Sequence, residues 1–316
     1  MYEMSDRDQP GTNNMSEVHP GRKPSWLTRR ALPAEVWQQI RSLLDSLSLA
    51  TICEEARCPN IGECFRQQTA TFLILGRTCS RDCHFCAVEH GRPEPIDAGE
   101  AQRLAEAVQK LGLRHVVITS VTRDDVPDGG AAHFAACIRA VHLDTSASVE
   151  VLVPDFLGKG SALRTVLQAQ PEVLGHNVEV VPRLYPELRS GANYGRSLQL
   201  LKRAKELRPL TLTKSGLMVG VGEREHEVIE VMHDLLAAGC DLLTIGQYLR
   251  PSSRHYPVVD YVTPATFDHY ASIAQDMGFR GVFCGPFVRS SYGAITLLEQ
   301  AATAAGGGPA GAEALD

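Results

Sequence analysis

Short β-branched apolar runs alternate along the chain with longer stretches in which apolar residues recur at helical spacing. The runs 71–75, 116–119, 149–153, 173–178, 212–219 and 242–247 read as strands, and each precedes an amphipathic stretch of helix length. This is the pattern of βα units around a parallel sheet. Six units are too few for a complete eight-unit barrel, so the expected fold class is α/β, a partial (β/α)6 TIM-like barrel. Asp97 with Glu100 three residues on reads as a capping box, and Thr263 before Pro264 as an N-cap with proline in the first turn.

The ends break this pattern. Residues 1–24 are polar and rich in Gly, Pro and Asn, and residues 301–316 are a Gly/Ala-rich stretch without an apolar face. Neither can bury enough apolar surface to offset ordering, so both are expected to be disordered. An apolar content of 44% is enough for a sizeable core. No apolar run approaches the roughly 18 residues of a membrane span, and no secretory leader is visible, so the chain is expected to be soluble and cytoplasmic, with no membrane partner. A net charge of −6 argues against nucleic acid as a partner. Six of nine cysteines fall within residues 53–86, which fits metal ligation in a reducing compartment better than a disulfide framework.

The loop after the first expected strand carries Cys79, Cys83 and Cys86 at x3 and x2 spacing, with Phe85 directly before the last. Loops at the carboxyl ends of parallel strands are where barrel chemistry sits. Three thiolates on one short loop can ligate three irons of a [4Fe–4S] cube and leave the fourth open. The open iron can chelate S-adenosylmethionine, and one electron then breaks a carbon–sulfur bond to give a 5′-deoxyadenosyl radical. The plainer alternatives are inert buried cysteines, or a zinc knuckle with His84 or His90 as fourth ligand. The triplet with its aromatic resembles the radical S-adenosylmethionine signature at every position, which favours the cube. A second set, Cys53, Cys58 and Cys64, could alone be a disulfide and a spare or a zinc site. Beside the first set it suggests a second cube, again one ligand short.

Together, CEEARCPNIGEC (53–64) and CSRDCHFC (79–86) resemble the lipoyl synthase family. TATFLILG (69–76), HGRP (90–93), VVITSV (116–121), RDD and DGG within 123–130, LVPDF (152–156), TKSGLMVGVGE (213–223), LTIGQYLRPS (243–252) and CGPFVRSSY (284–292) extend the likeness over roughly residues 50–295. The resemblance implies a sulfurtransferase that inserts two sulfur atoms, at carbons 6 and 8, into an octanoyl chain held on a lysine of a lipoyl carrier protein. Unactivated methylene C–H bonds give a general base nothing to abstract, so a carbon radical is needed. It implies that Cys79, Cys83 and Cys86 hold the radical-generating cluster, and that Cys53, Cys58 and Cys64 hold an auxiliary cluster that donates sulfur. Its fourth ligand would be Ser291 of the RSSY motif. The implied cofactors are two [4Fe–4S] clusters and S-adenosylmethionine. The implied partners are octanoylated carrier domains (2-oxoacid dehydrogenase E2 subunits and the glycine cleavage H protein), a flavodoxin- or ferredoxin-type reductant, and an iron–sulfur carrier that rebuilds the spent cluster.

On this reading the chain divides into a flexible arm (1–30), an N-terminal extension with the auxiliary cysteines (31–68), the barrel (69–280), a C-terminal segment with RSSY (281–295) and a disordered tail (296–316), the extensions holding the auxiliary cluster. Phe85, Thr119, Ser120, Asn177, Glu179 and Arg183 are the expected S-adenosylmethionine contacts, against the plainer readings of strand-end hydroxyls that satisfy backbone and a solvated loop. Lys214 and Arg289 could meet a carboxylate or the carrier surface, or be salt-bridged. Cys137, Cys240 and Cys284 read as buried inert thiols. The rival enzyme is another sulfur-inserting or methylthio-transferring member of the same superfamily; a zinc-stabilised binding module or an electron carrier has no need of so large a scaffold.

Overall fold

The computed structural model describes residues 23–28, 34–55 and 58–306. Helix α1 (Ala34–Ser46) leads to strand β1 (Ala50–Thr51) and two short helices, Ile52–Glu55 and Ile61–Arg66. Then follow β2 (Thr69–Ile74), α2 (Glu100–Lys110), β3 (His115–Ser120), α3 (Ala131–Asp144), β4 (Ser148–Leu152), α4 (Gly160–Gln168), β5 (Val173–Gly175), α5 (Tyr194–Leu207), β6 (Leu212–Val219), α6 (Glu225–Ala237), β7 (Leu242–Gln247), α7 (Pro264–Met277), β8 (Gly281–Gly285) and α8 (Ala294–Gly306). The strands lie side by side in chain order in one open sheet, with β2 to β8 parallel and β1 antiparallel to β2.

The alternation of a strand sorts its residues into two faces. Outward-facing Phe72, Ile74, Val116, Ile118, Val149 and Val151 pack under α1 to α4, while Leu217, Val219, Leu243 and Ile245 meet Val228, Val231, Met232 and Leu235 of α6 and Phe267 of α7. The α6 residues recur at the spacing of one helical stripe. Several inward positions are polar or glycine: His115, Glu150, Gly175, Lys214, Gly216 and Gly246. Near the barrel floor Lys214 Nζ bonds both carboxylate oxygens of Glu150 at 2.9 and 3.0 Å, and both side chains are 2% exposed. Lys214 is therefore a structural cation, not the ligand contact considered from the sequence. Burial alone would push the Glu150 carboxyl up, but Lys214 and His115 outweigh it and hold it below the usual carboxylate range.

Three expectations are corrected. The parallel strands number seven, because β8 pairs with β7 from Gly281–Leu242 to Gly285–Gly246; glycine at both of its ends hides it from a propensity reading. The tail expected from 296 is helical to Gly306. Leu297 and Ala301, one turn apart, are fully buried against Val173, Leu212 and Leu242, the first residues of β5, β6 and β7. Two apolar residues suffice when a barrel floor supplies the other wall. Glu100 caps nothing at Asp97; it starts α2, and its carboxylate accepts from the Leu75 amide at 2.9 Å and meets His133 Nε2 at 2.7 Å. Thr263 caps α7 as expected, accepting from the Thr266 amide. The arm expected over 1–30 lies mostly outside the described residues, with Leu27 buried at the end of a short turn, Ser25–Leu27; residues 307–316 lie outside them too. No described helix is long and apolar enough to cross a membrane.

Candidate functional site

The chain leaves β2 through Leu75 and Gly76, both left-handed (φ 68° and 97°). Leu75 is fixed there by its N–H, which donates to the Glu100 carboxylate, and by Arg123 Nη1, which donates to its carbonyl at 3.0 Å. Residues Thr78–Cys79 then pair in parallel with Glu89–His90, closing 80–88 into a loop. Each part of that loop is tied to a different strand end. The Ser80 amide donates to Thr122 O after β3, and Arg81 forks onto Asp124 at 2.7 and 3.0 Å and reaches Asp155, after β4, at 2.7 Å. Ser190 Oγ donates to Asp82 O, and the His84 amide to Leu188 O, both beyond β5. From the loop after β7, the Tyr256 amide donates to His84 O, and His255 Nε2 lies 2.9 Å from Cys86 O.

This cradle turns three thiols toward one another. Burial pushes Cys83 up to about 11, with Arg189 countering and Cys79 adding to the rise; burial pushes Cys86 up to about 12, with Cys83 and Cys79 adding to it. Thiols so placed stay protonated at neutral pH unless a bound metal supplies the opposing charge. Cys79 Sγ already accepts from the amides of Arg81 (3.4 Å) and Thr122 (3.3 Å). Among the described residues no three His, Cys, Asp or Glu side chains close on one point as a single metal ion requires. A cube takes one thiolate per iron and asks for three thiols on one loop, whereas a tetrahedral zinc asks for four ligands on one point. None of the nine cysteines is in a disulfide.

The second set lies beside β2. Cys53 is buried on Ile52–Glu55, the Cys58 amide donates to Cys53 O at 2.9 Å, and Cys64 is buried on Ile61–Arg66. Burial, then the nearby Cys58, pushes the Cys53 thiol up to about 12. Across this loop comes the chain from β8. Asn60 Nδ2 donates to Phe287 O at 2.6 Å and Tyr292 Oη to Glu63 Oε1 at 2.8 Å. These bonds bracket half-buried Ser290 and Ser291, so the structure brings the RSSY segment onto the Cys53/Cys58/Cys64 loop. A Cβ on Gly246 would overlap Val288 O, so only glycine at the end of β7 lets this segment cross.

Inside the mouth, Ser120 Oγ and Asn177 Oδ1 are buried without a hydrogen-bond partner. Buried polar atoms left open in this way mark places a ligand can satisfy. Asn177 Nδ2 donates to Glu179 Oε1 at 3.0 Å; the Glu179 backbone is left-handed (φ 65°), and burial raises its carboxyl, with Arg189 countering. A side chain at Gly216 would crowd Asn177 Oδ1 at 2.9 Å and Thr244 Oγ1 at 3.0 Å, so glycine keeps the space open. Phe85 packs against the part of the core that lies under α6 and α7. Thr119 Oγ1 donates to Leu152 O at 3.1 Å, the plainer role for a strand-end hydroxyl. Arg183 is spent on Glu227, at 2.7 and 2.8 Å, and on Gly222 O. Arg189, which acts electrically on Cys83 and Glu179, was not among the expected residues, nor were Arg81, Asp124, Asp155 and His255. The one available signal was an arginine between two cysteines in a chain whose RDD and LVPDF segments hold spare carboxylates.

The family model of the Radical SAM superfamily matches residues 73–235. A lipoyl synthase of Caldanaerobacter subterraneus subsp. tengcongensis is 56% identical over 271 residues, covering 86% of this chain and 95% of the relative. One from Rubrobacter xylanophilus is 53% identical over 280 residues, covering 88% and 87%. Among solved structures, Streptococcus suis SuiB bound to precursor peptide SuiA has a TM-score of 0.55 at 13% identity, over 84% of this chain and 57% of that one, a likeness of fold alone.

Proposed function

Because the chain belongs to the lipoyl synthase family of the radical S-adenosylmethionine superfamily, we propose that it inserts two sulfur atoms, at carbons 6 and 8, into an octanoyl chain carried on a lysine of a lipoyl carrier protein. Cys79, Cys83 and Cys86 are the residues that would hold the radical-generating cluster, and Cys53, Cys58, Cys64 and Ser291 those that would hold the auxiliary one. When bound, the first group supplies the electron that cleaves S-adenosylmethionine and the second supplies sulfur. The observation that carries the reading is the pair of bonds from Asn60 to Phe287 O and from Tyr292 to Glu63, which hold the serine segment against the second cysteine loop. A serine oxygen is a harder and more exchangeable iron ligand than thiolate, which suits a group that must come apart.

The chain's own residues do the positioning. Arg81, His255 and the backbone bonds of the cradle fix three thiols against a strand-end frame, so the radical forms at one place. Ser120 and Asn177 offer the open polar atoms that would orient the adenosylmethionine, with Glu179 bonded to Asn177 beside them and next to the gap kept by Gly216. Octanoylated carrier domains (2-oxoacid dehydrogenase E2 subunits or the glycine cleavage H protein), a flavodoxin- or ferredoxin-type reductant and an iron–sulfur carrier complete the cycle, with the cytoplasm as its setting. Anaerobically reconstituted protein, given S-adenosylmethionine, dithionite and an octanoyl-lysine peptide, should show a gain of two sulfurs by mass spectrometry. Release of 5′-deoxyadenosine with no sulfur gained would overturn the assignment.

A further inference from the structure

Several arginines around the barrel mouth are matched by carboxylates. Arg81 meets Asp124 and Asp155, Arg123 meets Asp125, Arg183 meets Glu227, and Arg196 meets Asp155. Arg289 differs. Its guanidinium donates to the neighbouring Val288 O at 2.7 Å, and no described carboxylate lies within ion-pair distance of it. The side chain is half-buried, and its Nη1 lies 3.4 Å from where a Cβ on Gly246 would stand, which turns it toward the inward face of β7 at the mouth. The bonds at Phe287 and Tyr292, on either side of it in the chain, hold its backbone on the 58–64 loop.

A cation with no carboxylate at ion-pair distance is poorly compensated even when half-buried, so the position suits an anion that arrives with the cofactor. We propose that Arg289 is the fixed countercation of the auxiliary cluster, held on the 58–64 loop by the bonds on either side of it, so that the cluster, a net anion with its thiolates, would stay in place if the neighbouring Ser291 let go. This rests on the reading of Cys53, Cys58 and Cys64 as that cluster's ligands. The arrangement separates two tasks on adjacent residues: an exchangeable oxygen at 291 that can leave, and a permanent charge at 289 that cannot. Hydrogen bonds and net charge around the sulfurs set a cluster's potential, so the residue's effect is readable without turnover.

The test uses the full chain with Cys79, Cys83 and Cys86 changed to Ala, in which only the auxiliary cluster can assemble after anaerobic reconstitution. Arg289→Met in that background should move the cluster's midpoint potential, followed by electron paramagnetic resonance, to a more negative value. It should also speed iron loss to a ferrous chelator by about tenfold, the weight of one charge-assisted contact, and Arg289→Lys should lie between. An Arg289→Met variant with the parent's potential and iron-loss rate overturns the proposal. So does a variant with all six cysteines that binds S-adenosylmethionine more weakly while its auxiliary cluster is unchanged, since Arg289 would then serve the substrate carboxylate. If Met and Lys variants both lose iron together with a fall in melting temperature by circular dichroism, the role is structural and the inference fails; loss in Met alone, with melting unchanged, supports it. A parent that binds no iron at all removes the auxiliary-cluster reading itself, and the inference with it.

Discussion

Arg81 stands between two cysteines of its own loop, yet its partners are 43 and 74 residues away. Burial on its own would raise the Asp155 carboxyl; Arg81 and Arg196 hold it far below the carboxylate range instead, so the clamp stays ionised through all but strong acid. Planar bidentate pairing of this kind is beyond lysine, which presents one point charge. Arg81→Gln should leave Asp155 with a single cation and free the Cys79–Cys83 span, lowering adenosylmethionine cleavage by about 10- to 100-fold, the range seen when a residue supporting a metal ligand is lost. Arg81→Lys should recover only part. Deoxyadenosine release, together with the resonance line shape of the reduced cluster, measures both, and a Gln variant at the parental rate would show that the clamp orients nothing.

The segment that carries Ser291 is strung between two elements, β8 before it and α8 after it. Helix α8 is pinned by Leu297 and Ala301 in the barrel floor and by Arg280 Nη2, which donates to Ala301 O at 2.8 Å. The Leu297 side chain also lies where a side chain on Gly281 would clash. The sequence does not show this anchoring: an alanine-rich end looks unable to pack, and only a preformed concave floor makes two apolar residues sufficient. Leu297→Ala should cost about 2–5 kcal/mol, the range for emptying a leucine site in a core. Thermal denaturation followed by absorbance should show the auxiliary chromophore bleaching at a lower temperature than in the parent. Equal bleaching temperatures would mean that α8 does not govern the RSSY segment.

Taken whole, the barrel has an apolar skin and a polar lining, and the Glu150–Lys214 pair is a fully buried part of that lining. Losing one partner of such a pair is far costlier than losing both. Lys214→Met should destabilise the fold by about 3–5 kcal/mol, and adding Glu150→Gln should restore most of it. Because the folded Glu150 carboxyl lies below its ordinary value, the pair's contribution is full above the ordinary carboxylate range and is lost as the pH falls through the folded value. Urea midpoints of the parent and the Lys214→Met variant should therefore differ most near neutrality and converge in acid; a gap that stays constant would rule this out. The alternation of apolar runs was enough to foresee six of seven parallel strands and an open barrel, and the two cysteine sets were legible because residue type and spacing are local covalent facts. What the chain could not disclose is which charges find which partners. The cradle of Arg81 and His255 and the landing of the 287–292 segment on the 58–64 loop join residues far apart in sequence. Such contacts, and the burial that gives them their strength, exist only once every strand end has been brought to the same mouth.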